Sequence, residues 1–348
     1  MGKIRVLNQK EIMSILDMSS VITAVEKAFR YKSSSQAEVY PLICKMYDNG
    51  GEFDIKSGEC AGADLFGLKL VCGFPENVNI GLPRSNGMIV VYDLHHGLVQ
   101  GIVDGVYITR IRTGAAGGIG AGYLARKDSE VLMILGAGRI VPAQIAATLE
   151  RMDRIKKVII CNPRHPERAE ELAKSIRKQL EEEFISLYRG TSHYEEMMKK
   201  ADIEYTAESS VEMACSEADI IITATNAREA VIQAEWVKPG THLSCMGADM
   251  PVKQEIDEKL ISKASLFADD IEQVTTVGEC KIAYKKGMIQ KGAITEIGKV
   301  IAREHPGRKT NDEITVFDST GIAIQDLLTA DVAIRIGREK EIGLEIEL

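Results

Sequence analysis

The chain has 348 residues, of which 45% are hydrophobic and 27% charged, and its formal net charge is -8. These are the proportions of a globular protein long enough for two domains. The acidic balance argues against the basic face of a nucleic-acid binder, and no run of about 18 apolar residues is present to span a bilayer. In chain order, Ser19-Ser20 can cap an amphipathic helix from about Val21 to Lys32, with Val21, Val25, Ala28 and Phe29 on one face. The period then shortens to two. Strands are expected at Tyr40–Met46, Glu52–Lys56, Gly67–Gly73, Met88–Asp93 and Leu98–Asp104, forming a mostly antiparallel sheet. A Gly- and Ala-rich helix, Ile108–Leu124, leads out of it.

From Glu130 strands alternate with helices, at 131–135, 139–152, 157–161 and 166–183, followed by strands Ala218–Ala224, His242–Met246 and Ser265–Ala268. That alternation predicts a doubly wound parallel sheet. The charged stretch 178–202 reads as a solvated helical excursion. An apolar helix, Ile322–Ile336, is expected to fold back on the first domain. The resulting fold class is α/β: a Rossmann-type sheet (116–309) inserted into an α+β domain made of 1–115 and 310–348.

The strand Val131–Leu135 breaks into Gly136-Ala137-Gly138-Arg139-Ile140. Gly136 permits a tight turn, and Gly138 lets the main chain approach a pyrophosphate at the positive end of the following helix. Val141 stands where the usual third glycine would be. The next strand, Lys157–Cys161, completes a unit of the roughly 30 residues such a motif needs. After it comes Asn162-Pro163-Arg164-His165, with no carboxylate to accept a ribose 2′-hydroxyl or repel a 2′-phosphate. Arg164 offers a guanidinium, and Arg139 a second charge. This favours NADP(H) over NAD(H), although Asn162 suits an unphosphorylated ribose as well.

The seven cysteines contain no CxxC pair and the six histidines no ligand spacing, so reduced thiols in a cytoplasm are expected and no metal.

Several segments together resemble the ornithine cyclodeaminase/mu-crystallin family, which includes alanine dehydrogenases and ketimine reductases. They are Gly67-Leu68-Lys69-Leu70-Val71 with Phe74-Pro75-Glu76-Asn77, Thr109-Arg110-Ile111-Arg112-Thr113-Gly114-Ala115-Ala116, the glycine loop, Gly247-Ala248-Asp249-Met250-Pro251 running on to Glu255, and Val316-Phe317-Asp318-Ser319-Thr320-Gly321 running on to Asp326. The resemblance implies a homodimer acting on a small amino or imino acid. It casts Lys69 as the group facing the reacting carbon, Arg112 as the substrate-carboxylate anchor and Asp249 as the proton-handling acid. Elementary chemistry agrees with each role: a guanidinium fork matches a carboxylate, and a cation polarises an imine for hydride arrival. Thr113, Thr225, Met246, Gly247 and Ser319 would line the nicotinamide. Many members carry an arginine after Pro-Leu where Ile43 stands here. Lys45, on the same strand face as Ile43, is expected to substitute for it, Lys56-Ser57 on the next strand stands where a Met-Pro pair is common in the family, and the two lysines are expected to favour an anionic substrate. The implied activity is an NAD(P)-dependent oxidoreductase on the C–N bond. Alternatives at the same site are a cyclodeaminase without net redox and a non-catalytic dinucleotide-dependent binding protein.

Overall fold

A computed structural model of the chain describes residues 3–347. The path begins with β1 (Lys3–Leu7), α1 (Gln9–Ile15) and α2 (Met18–Ser33), then β2 (Ala37–Val39), β3 (Ile43–Met46), β4 (Glu52–Cys60), β5 (Leu65–Gly73), β6 (Ser85–Asp93), β7 (Val99–Asp104) and α3 (Gly105–Leu124). It continues through β8 (Val131–Leu135), α4 (Val141–Arg151), β9 (Lys157–Cys161), α5 (Pro166–Glu183), α6 (Ser192–Lys200), β10 (Glu204–Glu208), α7 (Val211–Glu217), β11 (Ile220–Thr223) and β12 (His242–Cys245). Then follow α8 (Glu258–Ile261), β13 (Ser265–Ala268), α9 (Ile271–Val274), α10 (Cys280–Lys285), β14 (Ile294–Glu296), α11 (Ile297–Ile301), β15 (Thr315–Asp318), α12 (Ala323–Glu339) and β16 (Leu344–Glu347). No helix among the described residues is long and apolar enough to cross a membrane.

The chain divides into two compact units, one running up to Arg112 and resuming at Ile322, the other spanning Thr113–Gly321. Both crossings differ from the expected 115/116 and 309/310. The first falls inside α3. The second comes later because β15 hydrogen-bonds between β12 and β13, which keeps residues 315–318 in the parallel sheet.

In the first unit the strand order is β16-β1-β7-β6-β5-β4-β2, with β3 paired to β4. The pairs are antiparallel except β1 with β7. The chain therefore opens on a strand, not the helix expected first. Asp17 rather than Ser19-Ser20 caps α2, its carboxylate accepting from the Ser20 amide at 2.8 Å. Of the expected strand Tyr40–Met46 only Ile43–Met46 (β3) forms; Tyr40-Pro41-Leu42 separates it from β2, which lies upstream of the expected range, and proline cannot donate to a ladder. One face of the sheet is covered by α12, whose Ile324, Leu327 and Ile334 lie over Gly58, Gly67 and Gly101. A Cβ at Gly67 would sit 2.8 Å from the Leu327 side chain, so the absent side chain admits the helix.

The second unit is one parallel sheet in the order β10-β9-β8-β11-β12-β15-β13-β14. From β8 the chain builds outward through β9 and β10, then returns to the other side of β8 with β11. A reversal of this kind opens a crevice beyond the carboxyl ends of the strands, where such folds take ligands. Helix α3 lies close against α4: a Cβ at Gly114 or Gly118 would come within 2.7 Å of Ala143 or Ala147. The charged stretch 178–202 is less solvated than expected, since Leu180, Ile185, Tyr188 and Met197 are buried. Strands β10 and β14 carry Glu and Thr among few apolar residues, which hid them from a pattern reading.

Candidate active site

In the first unit, Lys69 on β5 is 2% exposed and its Nζ lies 2.9 Å from Oδ2 of Asp326 on α12. The other carboxylate oxygen, Oδ1, accepts from Nε of Arg112 on α3 at 2.8 Å. Asp326 is fully buried. Burial alone would push its carboxyl up, but Arg112 and Lys69 hold it below the usual carboxylate range. Burial also pulls the Lys69 ammonium down to about 8, against the restoring charge of Asp326 and with help from Arg112 and Lys56. An ammonium poised near neutrality can shed or share a proton, and a guanidinium held through Nε keeps its terminal nitrogens for a carboxylate.

Lys56 on β4 is directly opposite Lys69 in the antiparallel register and so shares its sheet face. Lys45 does not join them. It pairs with Phe53, one register step out of phase, on the sheet face away from Lys69, and is exposed. Lys45 does lie on the same face as Ile43, but β3 meets β4 with that face turned the other way. Asp326 was missing from the sequence reading as a site residue. Its signal was there: two carboxylates, Asp326 and Asp331, interrupt the apolar run Ile322–Ile336, and helical spacing alone does not say which one is buried.

In the second unit, Gly136 has φ +120° and its amide donates to the Cys161 carbonyl at 2.8 Å. A Cβ there would sit 2.7 Å from the Ala224 carbonyl, whereas nothing lies within 4 Å of the missing Cβ of Gly138. Ala137, Gly138, Arg139 and Ile140 lead into α4, which has no side-chain cap on its first amides and a proline in its first turn. An uncapped helix start behind an open glycine is what a pyrophosphate requires. Beside it a cavity of about 120 Å³ is lined by Leu135, Asn162, Pro163, Arg164, His165, Thr225, Asn226, Ala227 and Val231. Its wall is mainly apolar, and Asn162 and Arg164 are among its polar lining residues. Asn162 Oδ1 accepts from the His165 amide, leaving its amide nitrogen for a ribose.

The strand ends carry the remaining residues. Thr113 at the head of the unit is nearly buried, and its carbonyl accepts from Gln144 Nε2 at 3.0 Å. The Thr225 hydroxyl donates to Glu255 Oε1 at 2.7 Å, and Gly247 N donates to Glu255 Oε2 at 2.9 Å. Met246 is buried, its amide bonded to the Thr223 carbonyl. The Ser319 hydroxyl donates to Asp269 Oδ2 at 2.9 Å. Thr225 and Ser319 therefore offer a ligand no free hydroxyl proton. Asp249 is partly exposed and ion-paired with Lys253 at 2.6 Å. Asp318 at the end of β15 is fully buried, and burial raises its carboxyl to about 7.

The family model for the ornithine cyclodeaminase/mu-crystallin family matches residues 3–188 and 185–336. Among solved structures, the iminosuccinate reductase of Paracoccus denitrificans in complex with NAD+ superposes with a TM-score of 0.85 at 28% identity, covering 100% of both chains. An archaeal alanine dehydrogenase dimer with bound NAD gives 0.85 at 33% identity, again over 100% of both. The Delta(1)-pyrroline-2-carboxylate reductase of Thermococcus litoralis, in complex with NADH and L-proline, gives 0.85 at 30% identity over 99% of this chain and 100% of that one.

Replacing Asp326 with Ala would leave Lys69 and Arg112 buried without their shared counter-charge, at a cost of about 3–5 kcal/mol. Denaturant unfolding of the variant at pH 7 is expected to show that loss; a change below about 1 kcal/mol would mean that the two cations find other partners.

Proposed function

The chain belongs to the ornithine cyclodeaminase/mu-crystallin family, and as an NAD(P)-dependent oxidoreductase on the C–N bond of a small α-amino or imino acid it works, we propose, through Lys69, Arg112 and Asp249. The observation that carries this reading is the buried Lys69–Asp326–Arg112 cluster, which combines a carboxylate-binding fork with an ammonium near its titration point. Arg112 anchors the substrate carboxylate. Lys69 polarises the imine carbon or accepts a proton from the amine, and Asp249 exchanges the proton with the substrate nitrogen. When bound, the dinucleotide supplies or accepts the hydride. Gly136 and Gly138 would hold its pyrophosphate, and Asn162 and Arg164 its adenosine ribose.

Two finer choices belong to the same proposal. Lys56 beside Lys69 adds positive charge to this sheet face and favours a substrate with a second anionic group, against the ammonium-bearing side chain of a diamino acid. No carboxylate stands at the ribose position, and Arg164 in the cavity lining suits a 2′-phosphate, which supports NADP(H) over NAD(H), whereas the related structures hold NAD(H). Seven free thiols fit a reducing compartment such as the cytoplasm.

A paired assay over imines of pyruvate, oxaloacetate and cyclic imino acids, following nicotinamide absorbance and free ammonia together, tests the reaction. Net absorbance change is expected, with Lys56→Ala raising KM most for the dicarboxylic imine. Arg164→Ala should lower kcat/KM for NADPH roughly tenfold, the worth of one charge-assisted hydrogen bond, and leave NADH nearly unchanged. Ammonia released from ornithine without net absorbance change would instead establish a cyclodeaminase.

We also propose a homodimer through the sheet face opposite α12. Supporting it, the register puts Phe53, Ile55, Phe66, Leu68, Leu70, Met88, Val90 and Tyr92 together on that face, none of them fully buried. Met88 is 48% exposed. An apolar surface of this kind marks an interaction site. Val90→Lys should convert a dimer to a monomer by light scattering; an unchanged mass would put the interface elsewhere.

A further inference from the structure

The carboxyl ends of β11 and β12 are joined by a buried acid to which the roles above assign nothing. Glu255 is fully buried. Its Oε1 accepts from the Thr225 amide at 2.7 Å and the Thr225 hydroxyl at 2.7 Å. Its Oε2 accepts from the Thr223 hydroxyl at 2.5 Å and the Gly247 amide at 2.9 Å. Four donors meet the four lone-pair positions of one carboxylate. A neutral amide of the same shape substitutes poorly, since its NH2 would be turned toward a backbone N–H that can only donate, and a threonine hydroxyl would have to reverse to accept. Burial raises the Glu255 carboxyl while the two threonines and the Gly247 amide pull it back.

The segment that carries the acid is itself fixed. Glu279 accepts from the amides of Glu255 at 2.8 Å and Ile256 at 3.1 Å, and from Gln254 Nε2 at 2.9 Å. Lys281 donates to Gln254 Oε1 at 2.9 Å. On the other side the fit leaves no slack: a Cβ on Gly247 would lie 2.4 Å from Glu255 Oε2. The two loops held in this way are those that matter for the proposed reaction. Thr225 borders the same cavity as Asn162 and Arg164, and Gly247 stands two residues before Asp249.

We propose that Glu255 is a positioning residue for hydride transfer, its carboxylate setting the spacing of the loops after β11 and β12 and so the placement of Thr225 and Asp249. The inference rests on the oxidoreductase reading above. It assigns the charge, not the bulk, as the working feature, and it explains why a glycine must precede Ala248-Asp249. Misplacing reacting groups by about 1 Å can cost on the order of a hundredfold in rate.

The test compares wild type, Glu255→Gln, Glu255→Asp and Thr225→Val. For each, NADH binding is measured by fluorescence, kcat and KM by steady-state kinetics, and the primary isotope effect with NADH deuterated at C4. In Glu255→Gln, kcat is expected to fall tenfold or more, with the isotope effect rising as hydride transfer becomes limiting and substrate KM changing less than threefold. Glu255→Asp, which keeps the charge, should recover part of kcat, and Thr225→Val, which removes one donor, should shift the isotope effect in the same direction by less. If Glu255→Gln fails to fold, the Asp and Val variants carry the test, and a wild-type kcat and isotope effect in both of them would overturn the assignment. Wild-type kcat and isotope effect in Glu255→Gln, or equal losses in the Gln and Asp variants at an unchanged isotope effect, would overturn the assignment. Failure of wild type to bind NADH or NADPH would overturn the oxidoreductase reading itself.

Discussion

One carboxylate, that of Asp326, decides whether the first unit can hold two cations out of water. Burying Lys69 and Arg112 without it would cost several kcal/mol per ion, more than any nearby apolar contact returns. With it, three distant stretches of chain meet at a single point: β5, the first half of α3, and α12, more than two hundred residues later. The glycines of the sheet are the steric counterpart of this electrostatic constraint. Gly58, Gly67 and Gly101 let α12 lie close enough for its carboxylate to reach both cations. Burial of the cluster depresses the Lys69 ammonium while the Asp326 charge holds it up, so the contact that makes burial tolerable also sets where the lysine titrates.

The second unit answers a different demand. A parallel sheet ends with its amides and hydroxyls pointing into a crevice, and those groups must be both satisfied and held still. Here buried acids do that. Glu255 ties the loops after β11 and β12, and Asp269 ties the loop after β15 through the Ser319 hydroxyl and the Gly321 amide at 2.8 Å. The glycine loop after β8 is left open where a ligand backbone must approach, at Gly138, and closed where the turn must be tight, at Gly136.

Much of this was legible in the sequence, and the failures are instructive. Continuous apolar runs located β8, β9 and β13, and the proline-led charged helix α5 was found with its own bounds, because those elements are long or strongly patterned. The short terminal strands β1 and β16, and the polar strands β10 and β14, lack a pattern of their own and exist through pairing with neighbours. Lys69, Arg112 and Lys56 were singled out and share one neighbourhood, whereas Lys45 fell on the wrong face because strand alternation is readable but the facing register of two strands is not. Asp326, Glu255 and Asp269 went unassigned for a common reason. A buried acid reveals itself through its partners, and those that bury these three are mostly far away in sequence: Arg112 and Lys69 for Asp326, Thr223 and Thr225 for Glu255, and Ser319 and Gly321 for Asp269.

The central claim is that Asp326 tunes Lys69 for chemistry at the imine. Its most direct test is the pH dependence of kcat/KM for imine reduction in wild type and Asp326→Asn, at a temperature where both are folded. Lys69 titrates at about 8, so wild-type kcat/KM should fall as pH rises through that value. Removing the carboxylate charge takes away the attraction that keeps the lysine protonated, so in the variant the falling limb should move to lower pH. A limb at the same pH in both proteins would contradict the account and place the titrating group elsewhere.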